Sequence, residues 1–357
     1  MKTLFTLCFA LLAVTTFGQT DKEKAYELGM QAIQEMESGN IEKSIQLLEQ
    51  SQKLDPDNPD YPYEIAYAHY LDKDYKAAMK ILTKLTKHKE ANDRVWQMLG
   101  NCHDLNGKPE KAIETYEKGL ELFPTSGILY LERGNMELIQ EEYNEALYYY
   151  EQGIRVEPAF PSNYYWAAKI FLNTNNEVWG LLYGEIFMNL ERNSQRTVEI
   201  STLLYNTYAS EITRTSDTSA TVSLCQNMVV DINDLMGGEE FKMHFCMVYE
   251  PTLLIAVAFA DTIDLPNLDT IRTNFLKSYY DMGHHKTHPN VLFEYQKRVQ
   301  KEGHLEAYNH WILMKGDEEA FLHWLESNQE KWDQFVTWFT DNPLEVNEKN
   351  RFYREQY

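Results

Sequence analysis

The chain has 357 residues, of which 43% are hydrophobic and 25% are charged, and its formal net charge is −22 at pH 7. This composition is typical of a folded protein rather than a disordered one. The acidic balance disfavours phosphate backbones and anionic lipid surfaces as partners. Because we find no basic patch that would override it, nucleic acid is not expected as a partner.

Residues 1–18 have the features of a secretory signal peptide. Lys2 supplies the positive charge, residues 4–14 form an apolar run, and Thr16 and Gly18 are the small residues before a cleavage site. The run is too short for a membrane helix, and no later stretch reaches the roughly 18 unbroken apolar residues of a membrane span. The chain has no N-x-Ser/Thr sequon, which favours a bacterial route. We therefore expect export to the periplasm or cell envelope of a bacterium, or secretion.

The next part of the chain repeats itself every 34 residues. Pro124 and Pro158 lie 34 positions apart, and Pro56 lies twice that distance before Pro124. Two further columns of mostly small residues keep the same period: Ser44, Ala78, Ala112, Ala146 and Ala32, Ala66, Gly100, Gly134. Small residues let two helices approach closely, and a proline ends the second helix. Since one such hairpin cannot bury its apolar face alone, successive copies are expected to stack into a solenoid.

At these positions the chain resembles the tetratricopeptide repeat family. The copy that ends at Pro124 matches the family pattern best, at Trp96, Leu99, Gly100, Gly107, Ala112, Tyr116, Gly119 and Pro124. The resemblance implies an all-α fold, a tetratricopeptide-type α-solenoid over residues 19–192. Its five helical hairpins are expected at about 25–56, 59–90, 93–124, 127–158 and 161–192.

Residues 193–357 keep helical periodicity but lose the 34-residue repeat, which predicts an irregular helical C-terminal domain. A helix is predicted at 197–213, followed by a Ser/Thr-rich loop or hinge at 213–221. Pro251 is expected to split residues 241–260 into two buried helices, with a strand pair as the alternative. Further candidate helices lie at 224–232, 267–282, 291–301, 305–314, 318–326 and 330–339.

Three cysteines remain after removal of the signal peptide: Cys102, Cys225 and Cys246. So sparse and odd a set is not a disulfide framework, even in an oxidising compartment. Cys225 and Cys246 could pair with each other or remain buried thiols, and the sequence leaves both possibilities open.

The resemblance also places a binding groove on the inner face of the solenoid, which is built from the first helix of each hairpin. The residues expected there are Tyr63, Tyr67, Tyr70, Gln97, Asn101, Asn135, Tyr165 and Lys169. Tyrosines at i, i+4 and i+7 form a rigid stripe that suits a bound peptide, and family members commonly bond an extended backbone through such asparagines. The alternative is that the tyrosines pack between helices and the asparagines are merely solvated. Since Gln97 stands where the family's carboxylate-clamp variant has lysine, that recognition is not expected.

A histidine cluster, His284, His285 and His288, has the chemistry of metal ligands. Gly283 and Pro289 bracket it and indicate a polar loop, so zinc is only a weak alternative and no cofactor is expected. The leading hypothesis is an exported, non-enzymatic scaffold that binds a protein or peptide segment in the groove. Its alternatives are a hydrolase or metal-dependent enzyme with a site in the C-terminal half, and a carbohydrate-binding surface protein.

Overall fold

Ten helices follow one another in pairs between residues 21 and 190 of the computed structural model, which describes residues 20–216, 219–225 and 244–357. They are α1 Asp21–Glu37, α2 Ile41–Leu54, α3 Asp60–Leu71, α4 Tyr75–Leu85, α5 Asp93–Leu105, α6 Pro109–Leu122, α7 Gly127–Ile139, α8 Tyr143–Val156, α9 Pro161–Phe171 and α10 Glu177–Leu190. The five pairs confirm the hairpins expected from the 34-residue period. The predicted signal peptide lies outside the described residues.

Side chains at the helix starts and glycines in the turns fix the ends of these helices. Thr20 and Glu23 form a capping box at the start of α1, and the Asp74 carboxylate accepts a hydrogen bond from Ala77 N at the start of α4. Gly39 and Gly107 turn the chain between paired helices with φ of +81° and +73°. Only glycine adopts this left-handed conformation without strain, which explains its place in these turns.

The chain divides into two compact units between Ala112 and Ile113, within α6. In the first unit, hairpin one and α3 share a buried cluster that includes Ala32, Leu48 and Tyr61. The division does not coincide with the domain boundary predicted at residues 192–193.

In the second unit the repeat helices and the C-terminal half share one buried cluster. Trp179 of α10 lies with its ring centroid 5.4 Å from that of Phe245 and 5.7 Å from that of Phe352. Elements after residue 192 therefore complete the core of the last two hairpins, rather than forming a separate layer.

The C-terminal half begins with α11 Gln195–Glu211 and a two-stranded antiparallel sheet, β1 Ile212–Ser216 and β2 Ser219–Val222. The helices that follow are α12 Phe245–Val257, α13 Leu265–Asp281, α14 His284–Thr287, α15 Val291–Lys301, α16 Leu305–Leu313 and α17 Glu318–Asp341, with a final 3₁₀ turn at Arg354–Gln356. Helix α17 is kinked at Asn328 (φ −129°, ψ 21°), which is where the sequence predicted a break between two helices.

The loop or hinge predicted at 213–221 is wrong, because most of this segment forms the hairpin. Ile212 pairs with Val222 and Thr213 with Thr221, and such β-branched residues favour strands. The guanidinium of Arg214 in β1 donates to the carbonyl oxygens of Val257 and Ala260, so it ties the hairpin to the end of α12. The serine and threonine content concealed this pairing.

The expected division of residues 241–260 at Pro251 is also wrong within the described part. One helix, α12, continues through Pro251 from Phe245 to Val257. Proline removes one backbone hydrogen bond, but the flanking residues Val248, Tyr249 and Leu253 are all buried in the core. Tertiary packing on both sides of the proline therefore outweighs its local cost. The candidate helix at 224–232 lies mostly outside the described residues.

Candidate functional site

An open groove in the first unit lies between the first helices of hairpins two and three, α3 and α5. It has a volume of about 300 Å³, and we call it the tyrosine groove. It is lined by Tyr63, Glu64, Tyr67, Tyr70, Arg94, Gln97, Met98 and Asn101. The lining residues of each helix recur at three- and four-residue spacing, so they share one face. The structure thus brings together the five predicted site residues that lie in the first unit.

The tyrosines form a row of ring faces along the groove. The rings of Tyr67 and Tyr70 are stacked, with centroids 6.3 Å apart and planes 16° apart. The ring of Tyr75 meets Tyr70 edge-on at 5.8 Å. Tyr67 is 38% exposed, whereas Tyr63 and Tyr70 are half-buried. Such a row offers apolar contact area at a low cost in side-chain entropy.

Two charged groups complete the tyrosine groove. The Arg94 guanidinium lies 5.6 Å from the ring centroid of Tyr63. Burial raises the pKa of the Glu64 carboxyl, and Arg94 opposes that rise. Sequence reasoning missed both residues, although Glu64 and Arg94 lie three positions before Tyr67 and Gln97 on the same faces. With the amides, these groups supply hydrogen-bond donors and acceptors suited to a polypeptide backbone.

The three predicted site residues of the second unit are engaged in contacts within that unit. Asn135 donates to Glu132 Oε2 at 3.0 Å and accepts from the Tyr150 hydroxyl at 2.9 Å. Tyr165 is only 6% exposed, and its hydroxyl donates to Glu199 Oε2 at 2.5 Å. Lys169 Nζ lies 2.7 Å from Glu199 Oε1. Tyr165 therefore does not present its ring to solvent. Its role as a groove contact stays a prediction, and the burial of the ring does not support it.

The histidine cluster is not assembled as a metal site. His284 packs against Tyr279, His285 against Tyr280 and His288 against Tyr357, with ring centroids 5.7, 4.7 and 5.3 Å apart. Residues 284–287 form the short helix α14 rather than a loop. Among residues 20–216, 219–225 and 244–357, no three His, Cys, Asp or Glu side chains are grouped to hold a metal ion.

Cys225 and Cys246 form a disulfide with their Cα atoms 6.1 Å apart, which settles the alternative that the sequence left open. The bond joins Cys225, three positions after the end of β2, to the first turn of α12. Cys102 is a buried free thiol, and burial raises its pKa to about 12. Because the thiolate is the reactive form, Cys102 is chemically inert at neutral pH.

A buried ion pair in the second unit has no counterpart in the sequence reasoning. Arg272 of α13 donates to both carboxylate oxygens of Glu185 in α10, at 2.7 and 2.9 Å. The two side chains are 6% and 4% exposed. Burial alone would lower the pKa of Arg272, but the negative charge of Glu185 outweighs it and raises that pKa above its ordinary value. The guanidinium therefore stays charged.

Neutral groups satisfy the rest of this network. Gln296 and the Tyr308 hydroxyl donate to Glu185 Oε1 at 2.6 and 2.8 Å, and Arg272 Nε donates to Asn309 Oδ1 at 2.9 Å. Glu185 and Arg272 are thus fully hydrogen-bonded and closed off from solvent. Such a pair stabilises the structure and offers no accessible acid or base.

Helix α4 carries a row of lysines that corrects the expectation of no basic patch. Residues 75–89 contain five lysines and no acidic residue, in a chain of net charge −22. Lys76, Lys80 and Lys84 recur every four positions on α4, and Lys87 follows just after it; all four are exposed. Among the described residues none of these four forms an ion pair. We call them the lysine ridge.

Helical hairpins in a 34-residue register define a helical-repeat protein, and comparison with known families identifies the repeat. Tetratricopeptide repeat models match residues 35–102 and 94–126. Residues 35–126 are therefore tetratricopeptide repeats, and this matched part covers hairpin three and most of the two before it. Among the described residues, no helix is both long and apolar enough to span a membrane.

Similar proteins match only part of the chain. Small glutamine-rich tetratricopeptide repeat-containing protein 2 of Saccharomyces cerevisiae is 29% identical over 140 residues, which are 39% of this chain and 38% of that protein. The Hsp70-Hsp90 organizing protein of Triticum aestivum is 26% identical over 117 residues, 33% of this chain and 20% of that protein. The chain thus spans well under half the length of these relatives. The solved structure of pilF from Pseudomonas aeruginosa, at 18% identity, gives a TM-score of 0.43 over 52% of this chain and 85% of that one.

Proposed function

We propose that this chain is an exported, non-catalytic scaffold that binds an extended segment of a partner protein in the tyrosine groove. The observation that carries the proposal is the groove itself. It joins a stacked tyrosine pair to two amides, Gln97 and Asn101, on an open face of the first unit. Aromatic faces hold apolar side chains of an extended segment, while amides bond to its backbone.

The repeat family supports this proposal, since tetratricopeptide relatives include a protein named for organising Hsp70 and Hsp90. Export, to a bacterial periplasm or envelope, is supported by the signal-like residues 1–18 and by the disulfide between Cys225 and Cys246, since such bonds persist in oxidising compartments.

Site-specific photo-crosslinking tests the groove. A photoreactive phenylalanine analogue replaces Tyr67 in one version of the chain and Tyr143 in another. Tyr143 is 51% exposed and is not among the residues that line the groove, so it serves as the matched control. After illumination of the envelope fraction, we expect a protein crosslinked at position 67 and not at position 143, with the attached segment identified by mass spectrometry.

A substitution pair then measures the contribution of the groove. Tyr67→Ala with Asn101→Ala should weaken binding of the crosslinked segment about 30-fold or more, because truncating a central aromatic contact typically costs about 2 kcal/mol or more. Tyr143→Ala with Asn144→Ala should leave affinity unchanged. Equal crosslinking at both positions, or equal affinity of the two double variants, would refute the proposal.

A further inference from the structure

The lysine ridge borders an apolar groove on the first unit, separate from the tyrosine groove. This second groove has a volume of about 470 Å³, and we call it the proline groove. Its apolar lining is Pro56, Pro59, Pro62, Ile65, Ile81 and Leu85. The three prolines come from the connection between hairpins one and two and from the start of α3, while Ile81 and Leu85 belong to α4. No residue lines both grooves.

The lining favours side chains over backbone as the bound group. A proline has no N–H to donate, so this part of the wall offers a bound segment only carbonyl oxygens and ring carbons. Ile65 and Leu85 are each 6% exposed, so the floor is packed from below and already formed. An apolar side chain can enter such a preformed groove without a rearrangement of the protein, displacing only solvent.

Charge selects which segment would enter. Lys84 and Lys87 line the groove together with His88, and Glu49 is the one carboxylate among its lining residues. The lysines continue along α4 through Lys80 to Lys76, at intervals of about 6 Å of helix rise. Carboxylates on every second residue of an extended chain recur at about 7 Å, and those on every fourth residue of a helix at about 6 Å. Either spacing lets several carboxylates meet successive lysines.

We propose that the proline groove and the lysine ridge bind an acidic segment of another protein, with its apolar side chains in the groove and its carboxylates on Lys80, Lys84 and Lys87. A phosphate backbone has no apolar side chains to fill the groove. Because charges are screened beyond a Debye length of about 8–10 Å, the local lysines rather than the net charge of −22 decide whether an anionic segment is attracted to this surface. This surface is a second docking site, independent of the tyrosine groove.

Fluorescence anisotropy with the full chain tests the proposal. The probe is a labelled 12-residue peptide of glutamates and leucines, compared with one peptide whose leucines are serine and another whose glutamates are glutamine. A single-stranded oligonucleotide of equal charge and anionic vesicles of phosphatidylglycerol complete the set. We expect the glutamate–leucine peptide to bind at least about tenfold more tightly than every other probe, a difference of 1.4 kcal/mol.

Charge-reversal variants locate the site. Lys84→Glu with Lys87→Glu should weaken binding about tenfold or more. The matched control, Lys24→Glu with Lys108→Glu, changes two exposed lysines of the same unit by the same total charge and should bind like the unchanged chain. Should the first variant not fold, Lys84→Gln with Lys87→Gln is compared with Lys24→Gln with Lys108→Gln, which changes the charge by the same amount.

Three results would overturn the proposal. Oligonucleotide or vesicle binding as tight as that of the glutamate–leucine peptide would show a general anion surface. Equal affinities of the groove and control variants would place the binding elsewhere. A dimer seen by analytical ultracentrifugation and lost in Lys84→Glu with Lys87→Glu would make a second copy of this chain the occupant.

Discussion

The ion pair of Glu185 and Arg272 supports a quantitative prediction about the second unit. Arg272→Met removes the guanidinium but keeps much of the side-chain volume, so packing changes little. The Glu185 carboxylate, 4% exposed, keeps its hydrogen bonds from Gln296 and Tyr308 but loses the one cation that pairs with it among the described residues. Removing one partner of a buried pair typically costs about 3–5 kcal/mol. Since small domains are stable by only about 5–15 kcal/mol, this loss is large.

Urea unfolding followed by tryptophan fluorescence measures the effect in the right unit, because six of the seven tryptophans lie after residue 112. The matched control is Lys277→Met, on the same helix. Lys277 Nζ lies 3.1 Å from Asp281 Oδ2, but the two side chains are 69% and 64% exposed. Exposed pairs of this kind contribute about 0–1 kcal/mol, so the control should barely move the midpoint.

A double-mutant cycle completes the test. Glu185→Gln alone leaves the Arg272 charge buried and should also destabilise strongly, whereas Glu185→Gln with Arg272→Met removes both charges. We expect the double variant to be at least 1 kcal/mol more stable than the sum of the single changes predicts, because neither charge is then stranded. A loss below about 1 kcal/mol for Arg272→Met, or strict additivity in the cycle, would refute this reasoning.

Three further predictions concern stability. Burial raises the pKa of Glu177 to about 6, with Glu211 and Glu250 adding to the rise. Since the ordinary pKa of this carboxyl is 4.5, its favourable contribution to stability is complete below about pH 4.5 and is lost as the pH rises through about 6. Glu177→Gln should therefore raise the urea midpoint more at pH 8 than at pH 5, and an equal gain at both would count against the burial. Gly134→Ala should destabilise the protein by about 1–2 kcal/mol, because an added Cβ would lie 2.5 Å from Cε1 of the buried Tyr150 ring. This overpacking outweighs the gain in helix propensity. A variant more stable than the unchanged chain would contradict the close approach of the two helices. Cys225→Ser with Cys246→Ser should lower the free energy of unfolding by about 3 kcal/mol, because it releases a loop whose ends are 21 residues apart. Reduction of the unchanged chain should lower its urea midpoint similarly. Cys102→Ala serves as the control for cysteine removal alone.

Part of the candidate site could be predicted from the sequence because it depends on helical spacing alone. Tyr63, Tyr67 and Tyr70 are four and three residues apart, and once α3 forms they must share a face. The same spacing on α5 places Gln97 and Asn101 together, and it would have added Arg94. Asn135, Tyr165 and Lys169 occupy equivalent repeat positions, but neighbours in the second unit use their polar groups. Position in a repeat fixes a face, whereas the neighbours of that face decide whether it is open.

The acidic net charge concealed a local basic surface, because it averages over the whole chain. Lysines at 76, 80 and 84 were visible as an i, i+4, i+8 series. Only the structure shows that they border a groove lined by prolines from the connection between hairpins one and two. That neighbourhood is what makes these lysines a candidate docking surface.

The sequence by itself determined the hairpins, their turns and their period, because each depends on residues within about 34 positions of one another: small residues at the helix contact, glycine in the turn and proline after the second helix. The tertiary structure alone decided the rest. Arg272 meets Glu185 across 87 positions, Cys225 pairs with Cys246, and α12 passes through Pro251 because both of its sides are packed. Such contacts join residues with no fixed spacing, so they leave no periodic pattern in the chain and form only when the core closes.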